Sequence, residues 1–590
     1  MTSLDDVTRT EPLYLSVTDE REPARPGSRI QRARMPLAKD VVEAVAVSHG
    51  VCIRPVLMRV TDELTGRIRD VDVPCGATLA AKCPSCAERA RRLRVHQCRE
   101  GWHLEAEPDL TPDVPNDEQR DLATARADMT AARDEFTAAG DDLSSLAATE
   151  ALQMTDAELR KAGIRGDIDP PLKPRRIRST RRREDTPDLP KRDMVNTTLG
   201  RAFTGRDGQV FRPSMFLTVT LPSYGRVRSD GTPADPGTYD YRRAARDAIA
   251  FSRLIDRLIQ NLRRVAGYDV QYFAAVEPQR RLAAHAHFAI RGTIPRALIK
   301  QVVAATYHQV WWPETGAPVY DDLHRPLWQA DRDNREDRYA GTFVDPVSGS
   351  PLIAWDDALD AIDVATELDC DVEPYHVARL GSQVDVQGLL SGTPEADRRV
   401  RYLAKYLTKS MTEAHEPEDG PQSAHLDRLV AALAVEPCSP TCPNWLRYGI
   451  TPKNAHHGMR PGSCRSKAHR REHLGYAGRR ILVSRKWSGK TLADHKHDRR
   501  AWVMATLGVQ DQSAGRSDTA TPADDMTRER YSWRMAERDE ALKPLTHRLL
   551  IAVANRQKWR AALDAAKNGQ PPPTDEELSA TGNGREGTAK

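Results

Sequence analysis

Aromatic side chains are scarce in this 590-residue chain, at 6%. No apolar run approaches the roughly 18 residues that a bilayer-crossing helix needs, so no membrane-spanning helix is expected. The opening stretch MTSLDDVTRTEPLYLS has neither a basic start nor an apolar core. No secretion signal is read there, and a cytoplasmic location is expected. The phosphate-cradling pattern Gly-x-x-x-x-Gly-Lys is absent, which leaves nucleotide hydrolysis unsupported. A strong excess of one charge is missing too, since the formal net charge is only +4.

Charge is concentrated locally instead. Residues 21–34 form a basic, proline-containing stretch, and RRIRSTRRR at 175–183 holds six arginines in nine positions. Residues 479–500 carry eight Lys or Arg against two Asp. Any one block suits a solvated linker, but three together favour a polyanionic partner, namely nucleic acid.

The nine cysteines, at 52, 75, 83, 86, 98, 370, 438, 442 and 464, cluster in a way that suggests metal rather than a secreted disulfide framework. Cys83-Pro-Ser-Cys86 is a zinc half-site, and Cys75 lies eight residues before it. Cys52 and Cys98 both suit the fourth position. A second set pairs Cys438-x3-Cys442 with Cys464-x4-His469. Two closed, structural Zn²⁺ sites are expected, because neither set leaves an open position for catalysis.

The length suits about two to four domains. A disordered basic leader is expected over 1–40, a zinc module over 41–110, and a helical insert with an Arg-rich linker over 111–200. In MTDAELRKAG, Thr155 and Glu158 stand at capping-box spacing, which predicts a helix start there. From 201 to 415, β-runs at 216–223, 270–278, 284–292 and 375–390 interleave with helical patterns at 241–267, 296–312 and 395–412. This predicts an α+β fold, with an antiparallel sheet and long helices. A second zinc-binding, basic, DNA-contacting module is expected over 416–510. A helical region over 511–570 and a disordered tail over 571–590 complete the chain.

Two histidines in RLAAHAHFAI, His285 and His287, are two residues apart, so both project from one face of a strand. A half-exposed strand edge explains them equally well. If the neighbouring run 270–278 pairs with theirs, Glu277 approaches that face, and two imidazoles with one carboxylate suit a divalent ion with open positions. A second such pair, His495 and His497, sits among charged residues and reads as solvated surface. In RYLAKYLTKS, Tyr402, Lys405, Tyr406 and Lys409 share one helical face. They suit either a tyrosine nucleophile with ammonium support or two packing tyrosines with lysines reaching water.

In chain order, FLTVTLPS, Glu277, HAHFAIRG and YLAKYLTK resemble the rolling-circle replication initiators of the His-hydrophobe-His endonuclease superfamily. The flanks CGATLAAKCPSCAERARRLRVHQCREGWHL, CPNWLRYG and GYAGRRILVSRKWSGKTL are similar to the large initiators of actinobacterial plasmids and integrative elements. The resemblance covers roughly 50–110 and 210–505. It implies an endonuclease domain at 201–415 that nicks and joins single-stranded origin DNA through a 5′-phosphotyrosine. It further implies His285, His287 and Glu277 as ligands of Mn²⁺ or Mg²⁺. The family's Tyr-x-x-Lys motif fits both Tyr402/Lys405 and Tyr406/Lys409, and KYLTK favours Tyr406 as the attacking residue. Duplex and single-stranded origin DNA are the implied partners. A host helicase is a further expected partner, docking on the 528–565 region. A conjugative relaxase and a non-catalytic zinc-containing DNA-binding regulator are the alternatives. Many relaxases place the tyrosine before the histidines, whereas here it follows.

Overall fold

The computed structural model describes residues 35–571 except 36, 110–113, 167, 169–181, 209, 322, 332–340, 369–371, 406, 409–410, 413–419, 479, 508–530 and 538. Residues 1–34 of the expected leader, most of the 175–183 block, Cys370, Tyr406, Lys409 and residues 572–590 of the expected tail thus lie outside the described residues, while a helix already begins at Ala38.

At the centre is a five-stranded, fully antiparallel sheet. We number elements in chain order. Before the sheet come α1 (Ala38–Ser48), β1 (Val56–Asp62), β2 (Ile68–Val73), α2 (Pro84–Trp102), α3 (Asp117–Ala139) and α4 (Asp142–Lys161). The central region follows with β3 (Pro213–Thr220), α5 (Tyr241–Ala266), β4 (Tyr272–Pro278), β5 (Ala284–Arg291), α6 (Arg296–Ala305) and β6 (Tyr307–Val310). Then come β7 (His376–Arg379), β8 (Val384–Leu390), α7 (Pro394–Ala404) and α8 (Gly420–Val435). The last elements are β9 (Ile481–Val483), α9 (Leu492–Thr506), β10 (Tyr531–Met535) and α10 (Leu545–Lys567). The sheet order is β8-β3-β5-β4-β9.

Alternation along the strands gives the sheet two different faces. Leu217, Val219, Ala274, Val276, Ala286 and Phe288 point to one side, where α5 covers them with Leu254, Ile255, Leu258, Ile259 and Leu262. Each such fully buried aliphatic side chain stabilises by about 2 kcal/mol. Helix α5 is started by the Asp240 carboxylate accepting from Arg243 N and is closed by Gly267 in the left-handed region. The opposite face carries Phe216, Phe273 and Ala289, and it packs against Val400 and Leu403 of α7 and Cys98 and Trp102 of α2. The helix from the N-terminal cysteine cluster therefore braces the helix that bears Tyr402.

Several sequence expectations are corrected. Thr155 does not begin a helix: it is buried inside α4, which starts at the Asp141 cap. The helical pattern 296–312 stops at Ala305, because Tyr307–Val310 pairs with His376–Arg379 as a strand. The 395–412 pattern ends as regular helix at Ala404. The 528–565 region is not all helix, since Tyr531–Met535 pairs with β1 in a three-stranded sheet, β10-β1-β2. Its helix α10 buries Leu549 and Val553 against Ala46 and Val51. That packing accounts for much of the apolar character that suggested a helicase contact. Among the described residues, no helix is long and apolar enough to cross a membrane.

Candidate active site

Strands β4 and β5 are joined by a tight turn, in which Gln279 N donates to Ala283 O at 2.8 Å. Leu282 adopts a left-handed φ of 62° there, a conformation that costs a non-glycine residue about 1 kcal/mol. Burial of its side chain offsets that cost. The turn fixes the register, placing Glu277 directly opposite His285 and Ala275 opposite His287. On the other side of β5, Thr220 faces His285 and Thr218 faces His287.

The result is a compact trio. His285 Nε2 lies 3.3 Å and His287 Nε2 3.8 Å from Glu277 Oε2. One donor atom from each residue falls within 4.8 Å of the others. The far ring nitrogens are also held: His287 Nδ1 is 2.9 Å from Thr218 Oγ1, and His285 Nδ1 is 3.4 Å from Gln279 Nε2. Such outer contacts orient imidazoles so that both Nε2 atoms face the carboxylate. Burial pushes the Glu277 carboxyl up, but hydrogen bonds and charge from His285 and His287 outweigh it and hold the group at about 2. Burial also lowers His287 below the ordinary histidine range, against the pull of Glu277. The site thus presents an ionised carboxylate beside an imidazole biased toward its neutral, ligating form.

Tyr402 completes the site from α7. Its hydroxyl is 3.4 Å from His287 Nε2, and its ring meets the His287 ring edge-on, with centroids 5.1 Å apart. Phe216 stacks on His287 with centroids 5.7 Å apart and meets the Tyr402 ring edge-on at 6.1 Å, so the three rings form a triangle. Tyr402 remains 36% exposed, although its hydroxyl contact with His287 is partly buried. Lys405 follows at the C-cap of α7, one turn from Tyr402. Tyr406 and Lys409 lie outside the described residues, so the expectation favouring Tyr406 has no geometry here.

The two cysteine sets also assemble. Cys52, Cys75, Cys83 and Cys86 bring their sulfurs together, with Cys52 and Cys83 Sγ 3.8 Å apart. Cys52 takes the fourth position for which Cys98 competed. Cys98 is buried in the apolar cluster with Trp102 and Trp487 instead. Cys438, Cys442, Cys464 and His469 form the second set. Cys438 and Cys464 Sγ are 3.8 Å apart, and Cys442 Sγ is 3.5 Å from His469 Nε2. His469 Nδ1 lies 2.7 Å from Leu433 O, leaving Nε2 for the cluster. Three thiols and an imidazole, or four thiols, are the donor sets of structural zinc sites.

Sequence reasoning missed one grouping. His495 is not solvated surface: it is 2% exposed and lies with His96 and Glu100 of α2 in a further cluster of donor atoms. The i, i+4 spacing of His96 and Glu100 was visible, but their meeting with a residue some 400 positions later was not.

Comparison with known families matches residues 38–555 to a family described as RepSA: Replication initiator protein, pSAM2. No curated protein and no solved structure matches the chain. The match spans both cysteine sets, the trio and Tyr402, and so extends across nearly all of the described structure. This chain belongs to the RepSA family of replication initiator proteins, and is a rolling-circle initiator that nicks and joins DNA.

Proposed function

We propose that Tyr402 is the nicking nucleophile and that Glu277, His285 and His287 hold the catalytic divalent ion, Mn²⁺ or Mg²⁺. The observation that carries this reading is the Tyr402 hydroxyl 3.4 Å from His287 Nε2, on a side chain that solvent still reaches. A divalent cation held by these three residues would supply polarisation of the scissile phosphate and stabilisation of the charge developing on it. The protein's own contribution is positioning. Val400 and Leu403 clamp α7 to the sheet, so the phenol is held at a fixed height above the trio. Attack forms a tyrosyl O–P bond as the P–O3′ bond breaks. The proton lost by the phenol is balanced by the one gained by the leaving 3′-oxygen. The 5′-phosphotyrosine conserves the phosphodiester bond energy, so the reverse reaction rejoins the strand without a nucleotide cofactor. Lys405 supports the developing charge, and Tyr406 with Lys409 is the alternative nucleophile pair.

Zn²⁺ is the ion proposed for both cysteine sets, where it holds α2 and the 438–469 loops in place. Duplex origin DNA is proposed to lie along a basic groove between α2, α9 and α10. Arg89 and Arg92 form one wall, Arg499 and Arg500 another, and Arg556 and Arg560 the third. Arg556 is pushed below the usual arginine range by burial and by the like charges of Arg560, Arg89, Arg499 and Arg92. Such crowding is relieved by phosphates. A helicase contact, if the host supplies one, falls to the exposed Leu550, Ile551 and Trp559 of α10.

The test mixes full-length protein, Mn²⁺ and supercoiled plasmid bearing the gene's own neighbourhood, and scores relaxation and a protease-sensitive DNA adduct. Loss of both in His285→Ala/His287→Ala, with duplex binding retained, is expected. Unchanged nicking in that variant would refute the metal assignment. Tight duplex binding with no adduct in the parent protein would favour a non-catalytic regulator.

A further inference from the structure

We infer that His96, Glu100 and His495 form a fourth metal site, separate from the nicking centre, that ties α2 to α9 through a borderline divalent ion such as Zn²⁺, Co²⁺ or Ni²⁺.

His96 and Glu100 stand one turn apart on α2, and His495 lies in the first turn of α9. His96 Nδ1 is 3.4 Å and His495 Nδ1 3.3 Å from the same oxygen, Glu100 Oε2. The three donor atoms fall within 4.8 Å of one another. Two imidazole nitrogens and one carboxylate oxygen are the ligand set that borderline ions prefer, with room for water.

A second, independent observation points the same way. The His495 side chain is wholly buried, yet its Nδ1 makes no hydrogen bond. A coordinated ion supplies the directed bond that this buried nitrogen lacks. The other nitrogen, Nε2, is 2.9 Å from Ser488 Oγ. That contact turns the ring so that Nδ1 faces Glu100, as outer contacts do for metal-ligating histidines.

The local fold also fixes the geometry. A reciprocal capping box between Thr491 and Asp494 sets where α9 begins, and therefore where His495 stands. Lys490 Nζ is 3.0 Å from Glu100 Oε1 and 2.9 Å from Asp498. It neutralises the oxygen that faces away from the histidines and leaves Oε2 to them. His96 is 59% exposed in its side chain, so an ion can enter from solvent and the residue can be changed without opening the core.

The experiment uses the full chain carrying His285→Ala/His287→Ala, which removes the nicking trio but leaves the cysteine sets. Protein is equilibrated with Zn²⁺, dialysed, and its metal content measured by mass spectrometry, alone and with His96→Ala added. About one equivalent less per chain is expected in the His96→Ala protein. Metal contents that agree, in proteins with the same circular dichroism, would overturn the proposal. His96→Cys gives a positive readout: with Co²⁺ it should restore the lost equivalent and add thiolate charge-transfer absorption. Failure of His96→Cys to do either would also count against the site.

Discussion

The Tyr402 hydroxyl lies 3.4 Å from His287 Nε2, joining the tyrosine helix to the histidine strand across 115 residues of sequence. Removing that hydroxyl leaves packing intact, because the ring still meets Phe216 and His287 edge-on. Tyr402→Phe is expected to lower adduct formation by on the order of 10⁴-fold, with duplex affinity unchanged. Tyr406→Phe should keep nicking. Denaturing gels of the DNA–protein adduct read both, and the opposite pattern would move the nucleophile to Tyr406.

The brace behind that helix has little slack. A Cβ built on Gly101 would stand 2.3 Å from the Trp487 ring and 2.6 Å from its carbonyl oxygen. Gly101→Ala must therefore push α2 away from Trp487, and α7 rests on α2. The expected cost is about 1–3 kcal/mol of stability together with slower nicking. Chemical denaturation and single-turnover nicking check this; an unchanged midpoint would mean that the contact relaxes freely.

Duplex binding offers a salt test. Arg499 belongs to the crowded arginine groove and has no assigned part in the nicking trio. Arg499→Ala should weaken binding about equally for all duplex sequences and reduce the slope of log K against log salt by about 1. An unaltered slope would take this groove off the DNA path.

Stability should fall on mild acidification. Burial, aided by the charges of Arg257, Arg253 and His376, lowers His308 from the ordinary 6.5 to about 4. The unfolded chain then binds this proton more readily than the native one. Stability is greatest above pH 6.5, declines as pH falls toward 4, and gains no further penalty from this group below that. The change amounts to at most about 3 kcal/mol. His308→Gln should flatten that slope in thermal melts taken across the window; a parallel decline in both proteins would assign the effect elsewhere.

The parts of the site that sequence revealed are those governed by short spacing. His285 and His287 share a face because strands repeat every two residues, and Glu277 reaches them through a five-residue turn. Cys83 and Cys86 sit close for the same local reason, at the N-cap and in the first turn of α2. What stayed hidden depends on distant partners. Tyr307–Val310 reads as a continuation of α6 until His376–Arg379 offers it an edge. His495 looks solvated among charges until Glu100 and Ser488 surround it. The choice of Cys52 over Cys98 turned on α2 being one continuous helix, which carries Cys98 about 18 Å along its axis from Cys86 and into the apolar layer beside Trp487.

One pairing has a bearing on biosynthesis. Strand β10 completes the sheet begun by β1, with Val60 opposite Trp533. A ribosome releases β1 long before β10, so the edge of β1 must wait, unpaired, through the synthesis of the entire catalytic sheet. The early module is therefore finished last, and premature termination after α9 but before Tyr531 would leave a chain with a complete central sheet and an open, pairing-competent edge on β1.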